Sequence, residues 1–162
     1  MARVAGAQAS RRAGSAGATL PTLVDAVKAL AHPGRLRLLA MLRGGDLCVC
    51  QMTAVLEQAA STVSSHLGDL RRAGIVTERK SGKWVYYSLV DAGPFAELVR
   101  QALGLVHDDD RLKQDARVVD ALRRIPLATF CSTGFDRLAV GVPRRPAADR
   151  PRSGPSTVRR RA

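Results

Sequence analysis

At Gly74 the spacing of apolar residues changes from helical to alternating. Upstream, Val63, Leu67 and Leu70 stand at i, i+4 and i+7, one face of a helix expected from about Ser61 to Ala73. Ser64, Ser65 and Arg71 fall off that face, towards solvent or a partner. Downstream, Ile75–Arg79 and Lys83–Leu89 are rich in strand formers, with Ser81-Gly82 between them as turn residues. This predicts a β-hairpin with a basic tip of Arg79, Lys80 and Lys83. A shorter helix, near Cys50 to Leu56, carries Met52, Val55 and Leu56, and a polar stretch from Glu57 to Ala60 separates it from the longer one. Two short helices across a tight turn, then a basic hairpin, are the order of a winged helix-turn-helix. The expected fold is therefore mostly α with a small β-hairpin.

The flanks add helices. Leu23, Val27 and Leu30 share helical spacing over Thr22–Leu30, and His32-Pro33 interrupts because a residue before proline avoids the helical region. A helix over Gly34–Arg43 buries Leu36, Leu39 and Met41 or Leu42 and stops at Gly44-Gly45. Pro94 suits the first turn of a helix from Phe95 to about Val106, and Arg111–Arg124 offers one more. The expected organisation is a disordered basic leader over 1–20, a winged helix-turn-helix over 21–106, an extension over 107–142 containing Cys131, and a disordered Arg/Pro-rich tail over 143–162. No apolar run approaches membrane-spanning length, and the leader lacks the apolar core of a signal peptide, so a cytoplasmic protein without a membrane partner is expected. Three cysteines in a reducing compartment read as free thiols or metal ligands rather than a disulfide framework.

The net charge of +12 is unevenly spread. Residues 143–162 hold seven Arg against Asp149, and residues 1–20 hold three Arg and no acid, which leaves +3 for residues 21–142. A basic tail beside DNA adds salt-sensitive, sequence-independent affinity; the alternative is a solvated tail of biased composition.

A winged helix-turn-helix places its second helix in the major groove of double-stranded DNA. The groups it would present are Ser61, Thr62, Ser64, Ser65 and His66, with Arg71 and Arg72 suited to phosphates and Arg79, Lys80 and Lys83 on the hairpin. His66 is open to a second reading, as a packing histidine. Trp84, Tyr86 and Tyr87 read as hairpin packing, and Val63, Leu67 and Leu70 as core. No Gly-rich phosphate loop, paired carboxylates or nucleophile elbow points to an enzyme.

Five segments together carry a resemblance: Ala29–Leu39, Gly45-Asp-Leu-Cys-Val-Cys-Gln-Met-Thr53, Ser61–Leu67, Leu70–Val76 and Arg79–Leu89. Over about Leu23 to Leu105 the chain resembles the arsenic-responsive repressors of the ArsR/SmtB family. The resemblance implies a homodimer on a pseudo-palindromic operator, with the helices near Leu23–Leu30 and Phe95–Val106 at the dimer interface. It also implies control of efflux or detoxification genes. Its metal ligands here would be Cys48 and Cys50, and the inducer trivalent arsenic or antimony. Arsenic sensors of the best-known type place a third cysteine three positions after the second, where this chain has Thr53. Cys131 could supply that donor from the same subunit or its mate; a water, a small thiol or a methyl group could equally do so. Asp91, Glu97 and His107 do not reproduce the zinc-type pattern of the final helix.

Thiolates select soft or borderline ions. Residues i and i+2 point about 200° apart in a helix but to the same side in an extended segment. Capture of one ion by Cys48 and Cys50 is therefore expected to hold their segment extended, or to unwind the first turn of the helix beside the recognition helix. Two alternatives share the fold: a sensor of thiol oxidation through Cys48 or Cys131, and a sensor of a soft divalent metal such as cadmium or lead.

Overall fold

A computed structural model describes residues 17–127, 129 and 130. Cys131 and nearly all of the leader, together with the whole Arg-rich tail, lie outside the described residues. The chain forms α1 (Leu20–Leu30), α2 (Pro33–Leu42), β1 (Leu47–Cys48), α3 (Val49–Leu56), α4 (Ala60–Arg72), β2 (Val76–Ser81), β3 (Trp84–Leu89), α5 (Ala96–Leu105) and α6 (Asp110–Arg123). Local chemistry sets the boundaries. Thr19 caps α1 and exchanges hydrogen bonds with Thr22, while Asp109 accepts from the amides of Arg111 and Leu112 to open α6. His32, extended as its place before Pro33 requires, accepts the Gly34 amide on Nδ1 at 3.1 Å and starts α2.

The helix-turn-helix is α3 and α4, turned by Glu57 in the left-handed region at φ 54°. Val63, Leu67 and Leu70 are fully buried, as their spacing predicts. Gly82 takes φ +59° at the first of two loop residues between Ser81 and its partner Trp84, a position that glycine occupies without steric cost. The hairpin is one strand short of the observed sheet, whose order is β1-β3-β2 with all pairs antiparallel. Leu47 pairs with Tyr87 and Cys48 with Tyr86, so the wing is stitched to the residue that opens α3.

The second departure concerns α2. An amphipathic helix is expected there, yet Leu38, Leu39, Met41, Leu42 and even Arg37 are buried, because α6 lies along α2 and α3 and covers the side otherwise left to solvent. Arg37 is accommodated by Asp115 of α6, Nε to Oδ2 at 2.6 Å and Nη2 to Oδ1 at 2.7 Å, a two-pronged buried ion pair. Arg123 closes the other end of α6, donating to the carbonyls of Gly44 and Gly45. Among the described residues no helix is long and apolar enough to cross a membrane.

Candidate nucleic-acid interface and thiol site

Helix α4 presents Ser61, Thr62, Ser64 and Ser65 exposed on one side and buries Val63, Leu67 and Leu70 on the other. This is the division that groove reading requires, with short hydroxyls outward on a helix held rigidly by its apolar face. His66 is half-buried, its ring 4.4 Å from that of His32. Gly34 makes room for this pair, since a Cβ there would stand 3.1 Å from the His32 ring and 3.3 Å from His66 Nε2. The cations expected to meet phosphates are paired within the chain: Arg71 with Glu78, Arg72 with Asp69, and Arg79 with Asp46 at 3.3 Å while stacking over Tyr86. Exposed pairs of this kind are weak, so a phosphate can displace the carboxylate. Lys80 is exposed and Lys83 lies over Trp84. The Ser88 hydrogen bond holds Asp46 below the usual carboxylate range; burial opposes it, and Arg79 and Arg123 add to the lowering.

Arg35, outside the sequence expectations, ties α4 to α1. Its Nη1 meets Asp69 at 3.1 Å, while Nε and Nη2 donate to the carbonyls of Ala29 and Lys28 at 2.5 and 2.8 Å. Both histidines beside it are held below the ordinary imidazole value. Burial is the main cause for each; Arg35 adds to it, as His32 does for His66, and Asp69 opposes. Since the folded values are depressed, the unfolded chain binds more protons below about pH 6.5, and the stability that neutral imidazoles contribute is lost as pH falls through the folded values. Thermal unfolding should therefore show a larger loss between pH 7.5 and pH 5 in the wild type than in His66→Gln; equal losses would remove this pair from the pH response.

The thiols meet at a corner. Cys48 is extended (φ −84°, ψ 160°) at the end of β1 and caps α3, where its amide donates to Gln51 Oε1 at 3.0 Å; Cys50 lies in the first turn. With Cα atoms 5.5 Å apart, the sulfurs are joined as a disulfide. The expectation of free thiols is corrected for this pair, and of the two expected ways to bring them together, an extended segment or an unwound first turn, Cys48 is extended while the first turn of α3 stays intact. One residue in the strand and one in the helix already point their sulfurs at each other, because a strand-to-helix corner does not impose the 200° divergence of a continuous helix.

Cys48 is 1% exposed and Cys50 half-buried. Both line a cavity of about 610 Å³ walled by Val49, Ala60, Trp84, Val85 and Phe130, with Thr53 and Lys83 at its polar side. Thr53 Oγ1 is buried without a hydrogen-bond partner among the described residues. Reduced to thiolates, the two sulfurs would be donors of the soft kind. No group of three or more Cys, His, Asp or Glu side chains able to hold a metal forms among the described residues. Glu97 is engaged with Arg100 and Gln101, and His107 with Asp108.

A family model for bacterial regulatory proteins of the arsR family matches residues 32–78, from the start of α2 to the first residues of the wing. An arsenic resistance transcriptional regulator of Pseudomonas putida is 48% identical over 63 residues, 38% of this chain and 49% of its own length. The arsenical resistance operon repressor of Escherichia coli is 40% identical over 67 residues, 41% of this chain and 57% of its own length. The chain thus spans only about half the length of these two relatives. An uncharacterized HTH-type transcriptional regulator of Methanocaldococcus jannaschii is 35% identical over 96 residues, 59% of this chain and 88% of its own length. With helix-turn-helix, wing and this breadth of similarity in agreement, the chain belongs to the arsR family of bacterial regulatory proteins.

Proposed function

We propose that the protein is a homodimeric repressor that holds operator DNA through α4 and the wing and releases it when reduced Cys48 and Cys50 capture trivalent arsenic or antimony. The observation that carries this reading is the position of the thiol pair, at the corner where the wing strand β1 becomes the first helix of the helix-turn-helix. Cys48 is paired to Tyr86 of the wing, and Cys50 belongs to α3, which packs on α4. An ion seated between the sulfurs must hold them farther apart than a direct bond does, and that displacement reaches both DNA-contacting elements. A coupling of about 1–3 kcal/mol would change operator affinity several-fold or more. The names of the Pseudomonas and Escherichia relatives support arsenic as the inducer.

Dimerisation is supported by an apolar stripe that the described residues leave uncovered, Leu20, Leu23, Val24 and Val27 on α1, with Leu105 88% exposed at the end of α5. Ser61, Thr62, Ser64 and Ser65 would read the groove, Arg71, Arg72, Arg79, Lys80 and Lys83 would meet phosphates, and His66 is placed to set the helix through His32. Cys131 follows Phe130, a wall of the thiol cavity, and is proposed as a third donor for inorganic arsenite. The disulfide supports a second reading in which oxidation of the same pair is the signal.

Fluorescence anisotropy of a labelled operator separates these readings. Arsenite should release the reduced wild type but not Cys48→Ser. Release by peroxide, reversed by a reductant and without any effect of arsenite, would favour the oxidation reading instead.

A further inference from the structure

Three arginines expected to face DNA are held by acids of the same chain, and each acid is itself fixed by a second group. Glu78 takes Arg71 on Oε1 and accepts the hydroxyl of the buried Tyr87 on Oε2 at 3.0 Å. Asp69 takes Arg72 on Oδ1, and its Oδ2 accepts from Nη1 of the half-buried Arg35 at 3.1 Å. Asp46 takes Arg79 on Oδ2 at 3.3 Å and accepts the Ser88 hydroxyl on Oδ1 at 2.7 Å. Residues 60–89 contain no acid besides Asp69 and Glu78, so α4 and the wing commit all their carboxylates to this arrangement. Resting on the reading that α4 and the wing hold operator DNA, we propose that Asp46, Asp69 and Glu78 are specificity-determining residues. They tether three arginines so that these favour phosphates presented in one register over phosphates anywhere along a duplex.

The second anchor separates this arrangement from ordinary surface ion pairs. An exposed arginine–carboxylate pair is weak, and a phosphate can displace the acid. Here the acid does not leave with the arginine, because Tyr87, Arg35 and Ser88 keep it beside the DNA-facing side chains. A phosphate that pulls an arginine away leaves a fixed, unneutralised carboxylate close to the backbone, and the two anions repel. The other course is for the arginine to keep its acid. Each pair engages one terminal nitrogen of a guanidinium with five N–H donors, so the rest of the fork stays open to a phosphate. That phosphate must come to the place where the acid holds the fork. On an operator, base contacts from Ser61, Thr62, Ser64 and Ser65 would set the register that brings it there. A random duplex is bound through its phosphates alone and slides across registers, so it meets the acids more often than the open donors.

Asp46→Asn, Asp69→Asn and Glu78→Gln remove the charge while keeping an acceptor oxygen for Ser88, Arg35 and Tyr87. The full chain, reduced with a phosphine, is measured by fluorescence anisotropy across a salt series against two duplexes. One is the sequence that the wild type enriches from a random pool, the other a scrambled duplex of the same composition. The triple variant should bind the scrambled duplex about tenfold more tightly, with a salt slope steeper by up to about one for each freed arginine. Its preference for the enriched duplex should fall at least about threefold. Asp120→Asn makes the same change of charge at an exposed position of α6 and shows what net charge alone contributes. Unchanged melting midpoints mark the variants as folded, and Glu78→Gln on the exposed wing carries the comparison if the triple variant melts. Equal gains on the two duplexes, or a gain per acid no larger than that of Asp120→Asn, would overturn the assignment and leave operator binding through α4 and the wing standing. A wild type that enriches no sequence would overturn that reading as well.

Discussion

Replacing Asp115 with alanine is expected to destabilise the protein by about 3–5 kcal/mol, because it leaves the Arg37 guanidinium charged and buried without its carboxylate. Asp115 is 3% exposed and Arg37 7%, so water cannot take over the lost hydrogen bonds. For a domain of this size the thermal midpoint should fall by more than roughly 10 °C. The double replacement Arg37→Met, Asp115→Leu removes both charges together and should recover most of the loss, since such pairs contribute little over an apolar isostere. Circular dichroism melts of the wild type, Arg37→Met, Asp115→Leu and the double variant form a complete cycle. A loss below about 1 kcal/mol in Asp115→Ala would mean that α6 is not held by this pair.

The second large effect concerns oxidation. Thiolate, not disulfide, is the ligand for a soft ion, so closing the Cys48–Cys50 bond consumes both donors of the corner at once. Protein treated with a thiol oxidant should bind arsenite roughly 100-fold more weakly or worse, and a phosphine reductant should restore full affinity. Arsenic uptake by the oxidised protein at wild-type affinity would exclude the corner as the site. Operator binding measured on the same oxidised sample shows whether the disulfide itself releases DNA.

Most of the fold was legible because it is locally encoded. The i, i+4, i+7 spacing of Val63, Leu67 and Leu70 and the alternation after Gly74 specify α4 and the wing, and the observed ends differ by only one or two residues. What was not legible depends on distant partners. Two residues, Leu47 and Cys48, are too few to show a period, and they form a strand only because Tyr86 and Tyr87 lie beside them. Arg37 and Asp115 are 78 positions apart. Arg37 stands between Leu36 and Leu38 in an apolar helix, and nothing local shows that it is buried or names its partner. The same limit applies to the site. The Cys-x-Cys spacing marked the candidate ligands, whereas the cavity beside them is assembled from α3, α4, β3 and Phe130, and only the folded chain brings those together. His66 shows the opposite case: its two readings were both open, and His32 supplies the packing partner without removing the helix face from DNA.

Arsenic bound and operator released can be followed in a single titration of the reduced protein, with the bound metalloid counted by mass spectrometry and DNA followed by anisotropy. The central claim predicts that the two curves coincide in the wild type, and that Cys48→Ser and Cys50→Ser keep operator affinity but lose uptake and release together. Operator release by arsenite from either cysteine variant at wild-type concentrations, or saturation of the wild type without release, would contradict it.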